Sequence, residues 1–413
     1  MATRYDAIVV GGGPSGTTAA TLLARAGWHV AVIEKTVFPR RKVCGEFISA
    51  TTWPLLRALG LAEPLLAVAG PPVHRVGLYA GDVTVHAELL APASAANDCG
   101  RAIGREHLDT FLMQSAVLAG AEIWQPWTLA RLGIDEDGYA CTVSARRANQ
   151  FRTLHAPLVI AAHGSWERGP MPTQALHQVL RAGDVLGFKA HFNNVGMATD
   201  LMPLLIFPGG YGGMVHTDGG RVSLSCCIRR DQLELCRRNS PNLSAGAAVL
   251  AHVQSSCYAV AQALSTATLE GAWLSAGPLR TGFRGFGDGG LFTVGNATAE
   301  AHPIVAEGLS MAMQSAALLC SQLLTHCPRA DDWSQSALLV AKVRAAYARA
   351  WRLHFAQRLH LASFAAHLFM KPVSARVAAL TLQRLPWILS RAARWSGKVQ
   401  SLRLDLSRVA VPP

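Results

Sequence analysis

Read as apolar and polar positions, the first part of the chain switches cleanly between two periods. A largely apolar run over residues 5–10, interrupted by Asp6, has the length of a buried strand. GGGPSG follows at 11–16, and a small-residue pattern of helical period runs over 14–25. A second strand is predicted at 29–33, apolar after His29, and it ends on Glu34. Residues 73–89 alternate in places and predict strands. Residues 105–120 carry apolar positions at 108, 111, 112 and 116, which predicts a helix. Strands with polar turns continue to 161, the clearest turn being DEDG at 135–138, and 91–100 reads as a small-residue loop. The stretch 185–268 is glycine-punctuated, strand-like early and helical later. GFGDGG at 285–290 turns into a strand at 291–294, and helical patterns dominate from Gly308 onward, divided by Pro372 and Pro386.

Strand, glycine turn, helix, strand, acid is the order of a dinucleotide-binding unit. Gly11 suits the tight turn, Gly13 the close approach of a pyrophosphate, and Gly16 the packing of helix on strand. Pro14 and Ser15 open the helix, whose free N–H groups and positive dipole end favour phosphates. Glu34 can accept from a ribose diol, which favours an unphosphorylated adenosine ribose, and Lys35 adjoins it. A dehydrogenase that binds NAD alone would share this unit.

Composition narrows the class. The 413 residues are half hydrophobic and sparsely charged, enough for two or three globular domains. No apolar stretch is long enough to span a bilayer. Nine cysteines without a CxxC pair predict reduced thiols in a cytoplasmic protein, and no metal-ligand spacing occurs. The charge is lopsided. Residues 341–413 hold 13 Lys and Arg against one acid, Asp405, so the entire formal charge of +12 sits there and the rest is neutral.

At GGGPSG, at GREHLDTFLMQSAVLAGAEI and at GNATAEAHPIVAEG the chain resembles FAD-dependent oxidoreductases of p-hydroxybenzoate hydroxylase-like architecture. That group includes aromatic hydroxylases, geranylgeranyl reductases and flavin-dependent halogenases. The resemblance covers residues 1–330 and implies FAD as cofactor. Arg105 is then the arginine beside FAD. Gly295, Asn296, Pro303, Gly308 and Leu309 form the second cofactor motif, with Asn296 where an aspartate is usual. The implied fold is α/β: a Rossmann-type FAD-binding domain, a second β-sheet substrate domain and a C-terminal helical region. Boundaries follow as 1–180 with 271–335, then 181–270, then 336–413, with 71–97 joining the substrate sheet.

RRKVCGEFIS at 40–49 resembles the geranylgeranyl reductase branch, where a Cys-Gly segment faces the flavin. Cys44 is therefore a candidate catalytic and cofactor-contacting residue, with Lys42 and Glu46 as neighbours. FPGGYGGMVHTDGG resembles the cavity segment YxWxFP of that branch. Tyr211 matches and is the second catalytic candidate, while Gly213 and Val215 replace the Trp and Phe and predict a wider cavity floor. His163-Gly164 stands where hydroxylases carry Asp-Gly, a departure from their way of docking NAD(P)H, which stays a candidate electron donor. WxWxIP is absent and no lysine lies between Val43 and Phe188, which speaks against a halogenase.

The resemblance thus implies an apolar aromatic or polyene substrate and one of two reactions. A monooxygenase would use O₂ on an electron-rich ring. A reductase would act on a C=C bond, with Cys44 or Tyr211 delivering the proton. A non-catalytic FAD-binding scaffold is the alternative outside enzymology. For the basic C-terminal region three roles stand open: covering the cavity, lying on a membrane surface, or docking an acidic carrier protein, with Trp351, Trp387 and Trp395 suited to an interface. No nucleic-acid recognition motif is present.

Overall fold

The computed structural model describes residues 3–89, 99–136, 138–145, 150–174, 179–333 and 336–398. Most of the expected loop at 91–100, one residue of the DEDG turn, and the end of the basic region from 399 lie outside the described residues. A parallel five-stranded sheet runs in the order Leu291–Thr293, Leu158–Ala161, Ala7–Val10, Val30–Ile33, Glu122–Trp124. Its central strands are buried on both faces, as near-continuous apolar runs require. The helix Pro14–Arg25 follows the first strand and is buried at every position before Arg25. It can lie this close because Gly16 has no side chain: a Cβ there would sit 1.9 Å from the Gly11 carbonyl oxygen. Gly11 itself holds φ +113°, a region that disfavours any L side chain.

Beside this layer stands a seven-stranded sheet in the order Thr268–Leu279, Val185–Asn193, Val222–Arg229, Gly210–His216, Leu201–Phe207, Arg75–Ala80, Val83–Glu88. The hairpin Arg75–Glu88 enters it from the first half of the chain through parallel pairing with Leu201–Phe207. The sheet also extends to Leu279, past the boundary at 270 expected from sequence, because Thr268–Leu279 pairs along Val185–Asn193 despite its glycines and Pro278. Helices Ala245–Ser256 and Tyr258–Ala263 close one face over a core that includes Phe188, Phe192, Leu224 and Val249.

The helix Gly308–His326 packs on Pro14–Arg25 and so brings the segment 295–309 beside the glycine turn at 11–16. The C-terminal region is helical over Ala337–Met370, Pro372–Arg384 and Trp387–Ala393. Trp351 was expected at an interface, but it is buried against Phe283, Phe286 and Phe355. An amphipathic stripe looks the same whether its apolar side meets the core or a partner. Trp387 and Trp395 are exposed.

Candidate active site

One cavity of about 470 Å³ lies between the two sheets and beneath the C-terminal helices. Gly11, Gly13, Pro14, Ser15, Glu34, Lys35, Cys44, Arg105, Tyr211, Asn296, Pro303, Gly308 and Leu309 all reach its wall. Gly16 and Gly295 stand behind it. Gly295, at φ +59°, leaves room for Ser15, whose Oγ would lie 2.6 Å from a Cβ at that position.

The charged end is built on the first motif. The helix at Pro14 has no side-chain cap, and Gly13, Pro14 and Ser15 at its start line the cavity, where a phosphate would meet the helix N-terminus. Glu34 accepts from Gly12 N–H at 2.9 Å, from Thr36 N–H at 2.8 Å and from Arg40 Nη1 at 2.8 Å. Arg105 forks onto Asp109 through Nε and Nη2 at 2.7 and 2.8 Å, and Arg40 Nε reaches the same carboxylate at 3.3 Å. Lys42 lies beside both arginines. Burial and those two positive neighbours push its ammonium down to about 8. Lys35 pairs with Glu167.

Beneath this end lies a network the sequence reading missed. Glu46 is fully buried at φ +63°, a conformation costly for a residue with a side chain. Lys189 Nζ donates to its Oε1, and His191 Nε2 lies 2.8 Å from its Oε2. Arg41 Nη2 donates to His191 Nδ1 at 2.7 Å, so the imidazole hydrogen sits on Nε2 and points at Glu46. Burial alone would raise the Glu46 carboxyl, but the bond from His191 and the Lys189 ammonium prevail and hold it at about 2. The one sequence signal was FKAHF, whose alternation sets Lys189 and His191 on the same sheet face. The network fixes the loop that carries Cys44. Glu46 N–H donates to Cys44 Sγ at 3.3 Å, and the Arg105 guanidinium also interacts with that thiol.

The other end is apolar, with Phe188, Met202, Leu204, Val215, Leu279 and Ile304 on the wall. Gly213 leaves room here, since a Cβ there would meet only the Pro203 carbonyl oxygen, at 3.5 Å. The C-terminal helices roof it with Leu361, Phe369, Leu382 and Leu389. Tyr211 stands in this wall, in the strand Gly210–His216 and opposite Cys227. Its hydroxyl lies 3.1 Å from His302 Nδ1, and His302 Nε2 lies 3.0 Å from Thr281 Oγ1. Burial lifts the Tyr211 phenol well above its ordinary value. Burial and His367 push the His302 imidazole down to about 4, so it is neutral near pH 7. His163 is also on the wall, bonded through Nε2 to Thr173 Oγ1 at 2.7 Å, and burial pushes it to about 4.

The chain belongs to the FAD binding domain family, which it matches over residues 4–354. FAD is accordingly its cofactor. Among known proteins it is 31% identical over 170 residues to a tryptophan 2-halogenase of Chondromyces crocatus, covering 41% of this chain and 31% of that protein. It is 31% identical over 161 residues to a digeranylgeranylglycerophospholipid reductase of Thermoplasma volcanium, 39% of each. The chain thus spans about a third of the length of these relatives. Among solved structures it resembles the myxobacterial chondrochloren halogenase CndH, with TM-score 0.75, 16% identity and coverage of 98% and 96%. It also resembles PqsL, a probable FAD-dependent monooxygenase of Pseudomonas aeruginosa, with TM-score 0.66, 15% identity and coverage of 90% and 98%. At such identities the structures share the fold. Among the described residues no helix is long and apolar enough to cross a membrane, and no cluster could hold a metal ion.

The cavity fits FAD on its own geometry. A Cβ at Gly13 would meet only Arg40 Nη2, at 3.9 Å, and one at Gly308 would meet nothing within 4 Å. Both helix N-termini therefore open onto free space, as a phosphate chain and a ring system need.

Proposed function

We propose that the protein is an FAD-dependent oxidoreductase acting on an apolar aromatic or polyene/isoprenoid-like substrate that carries an oxygen function, by hydroxylation or by reduction of a C=C bond. The observation that supports this most is the continuity of the cavity. A charged, phosphate-suited end and an apolar end share one wall, and Tyr211 stands in the apolar part with a hydrogen-bonded route away from it. The reductase relative, named for a geranylgeranylated phospholipid, supports the apolar substrate class.

In this reading the N–H groups at Pro14–Arg25 hold the pyrophosphate, Glu34 takes the adenosine ribose, and Asn296 and the helix starting at Gly308 hold the ribityl chain and ring. Bound FAD would supply the redox chemistry, taking an electron pair from NAD(P)H and passing it to substrate or to dioxygen. The rest is done by the chain itself. Arg105, clamped by Asp109, and the loop pinned through Glu46 hold Cys44 at the cavity wall. Tyr211 holds a proton at its phenol oxygen toward the substrate oxygen. Neutral His302 passes a proton between Tyr211 and Thr281, which is partly exposed. The apolar roof keeps water from the reacting atoms.

Halogenation is not part of this reading. Lys42 lies among arginines at the charged end, and Lys189 is buried under Glu46. The deciding experiment reduces the holoenzyme anaerobically with NADPH or NADH, then admits air and a panel of alkylphenols and polyprenyl quinones. A product with one added oxygen atom identifies a hydroxylase, and one with an added pair of hydrogens a reductase. A brominated product formed with bromide present, with neither of the others, would overturn the reading.

A further inference from the structure

The helices that roof the cavity have two opposite faces. In Pro372–Arg384, Ala375, Ala379 and Leu382 are buried, and Leu382 touches the cavity. Val373, Val377 and Leu380 follow the same i, i+4, i+7 spacing two residues out of phase, about 200° around the helix. They are 80%, 62% and 45% exposed. The next helix repeats the arrangement. Leu389 and Ala393 line the cavity, while Trp387 and Trp395 are 55% and 54% exposed. Arg391 lies between these two rings, its guanidinium carbon 5.8 and 6.0 Å from their centroids. Both helices rest on the hairpin Arg75–Glu88, and Ser390 Oγ donates to the Glu88 carbonyl at 2.7 Å, so their outer faces look away from the body together.

The charge on this face is of one sign. Lys371, Arg376, Arg384, Arg391 and Arg394 are all exposed, and residues 371–396 contain no acid. Exposed aliphatic side chains, paired tryptophans and a purely basic surround describe an interfacial amphipathic helix. An acidic protein would satisfy the basic groups but would leave this width of apolar surface without a reason. An anionic bilayer satisfies both, with the Trp and aliphatic side chains among the acyl chains and the basic groups at the headgroups.

We propose that the outer face of helices Pro372–Arg384 and Trp387–Ala393 docks on the surface of an anionic lipid bilayer. The cavity then sits one helix diameter from the membrane, and its apolar substrate enters from the lipid. The docking stands on this face alone. Only the route of the substrate rests on the function proposed above.

The test is sedimentation of the flavin-loaded protein with vesicles of phosphatidylcholine alone and with phosphatidylglycerol added, alongside Val377→Glu, Trp387→Glu and the pair Arg376→Glu/Arg384→Glu. These side chains are exposed, so retained flavin absorbance and an unchanged melting temperature certify each variant. The wild type is expected to bind the anionic vesicles and to be released in part by salt. Either apolar variant should weaken binding about tenfold or more, and the charge pair should remove the preference for anionic lipid. Wild-type protein that stays in solution with both vesicle types overturns the proposal. So does vesicle binding that all three variants retain, or an outer face that instead holds a second copy of the chain or an acyl carrier protein in sedimentation velocity. Vesicle binding by an enzyme that turns over no apolar substrate would uphold the docking and remove the proposed function.

Discussion

The Tyr211 hydroxyl lies 3.1 Å from His302 Nδ1, and this contact joins the seven-stranded sheet to the loop before Gly308. Tyr211 comes from the substrate-side sheet, and His302 from the loop that leads to the helix at Gly308. With Thr281 at the far nitrogen, protons can sit in either of two senses along the three groups. Shifting all of them delivers one proton to the substrate side and requires one from the solvent side.

Tyr211→Phe should therefore lower kcat about a hundredfold, the usual scale for a lost general acid or base, while leaving flavin content unchanged. His302→Gln should lower kcat less and alter its pH profile, because an amide can hold the hydroxyl but cannot relay. Cys44→Ala should stay within about tenfold of wild type, since Tyr211 carries the proton in this account. A Tyr211→Phe enzyme of normal turnover would remove the relay.

Acid should destabilise the fold through two histidines. His302 and His163 are held at about 4 by burial, against an ordinary 6.5, so the unfolded chain binds protons that the folded one refuses. The stability this represents is complete above pH 6.5 and is lost as pH falls from there through about 4. Each contributes on the order of 3 kcal/mol at most. Denaturant unfolding between pH 7 and 4 should show that loss, and His163→Gln and His302→Gln should each flatten it.

Glycine substitutions should separate folding from cofactor binding. Gly16→Ala forces a Cβ to within 1.9 Å of a backbone oxygen, so stability and flavin should be lost together. Gly13 has φ −78° and open space beside it, so Gly13→Ala should melt like wild type and yet bind FAD more weakly. Equal behaviour of the two variants would place the phosphates elsewhere.

Removing Lys189 leaves Glu46 buried without its cation. Lys189→Met should cost about 3–5 kcal/mol in denaturant unfolding, and the double variant Lys189→Met/Glu46→Gln should recover part of it. Full additivity would mean that the two side chains do not act as a pair.

Much of the fold was legible because local pattern and backbone demand agreed. Gly11, Gly16 and the apolar runs around them specify a strand, a turn and a helix, and the helix ends where expected, at Arg25. Gly308 likewise starts its helix. What escaped depended on distant partners. Nothing near Glu46 in sequence announces Lys189 and His191, which lie more than a hundred residues away. His302, in a loop beside Pro303, has no local signal because its partner Tyr211 comes from a strand some ninety residues earlier. The burial of Trp351 depends on Phe283 and Phe286, supplied by a different segment. Of the candidate site, the glycines and Glu34 that line the charged end of the cavity stood in a motif, and the contacts of His302 with Tyr211 and Thr281 did not.

The most direct measurement is the absorption spectrum of the purified protein, before and after titration with FAD, for wild type and Gly13→Ala. The account predicts an oxidised-flavin spectrum at one FAD per chain, which an apolar substrate analogue perturbs, and weaker uptake by the variant with its fold intact. A colourless protein that takes up no FAD would contradict the account at its base.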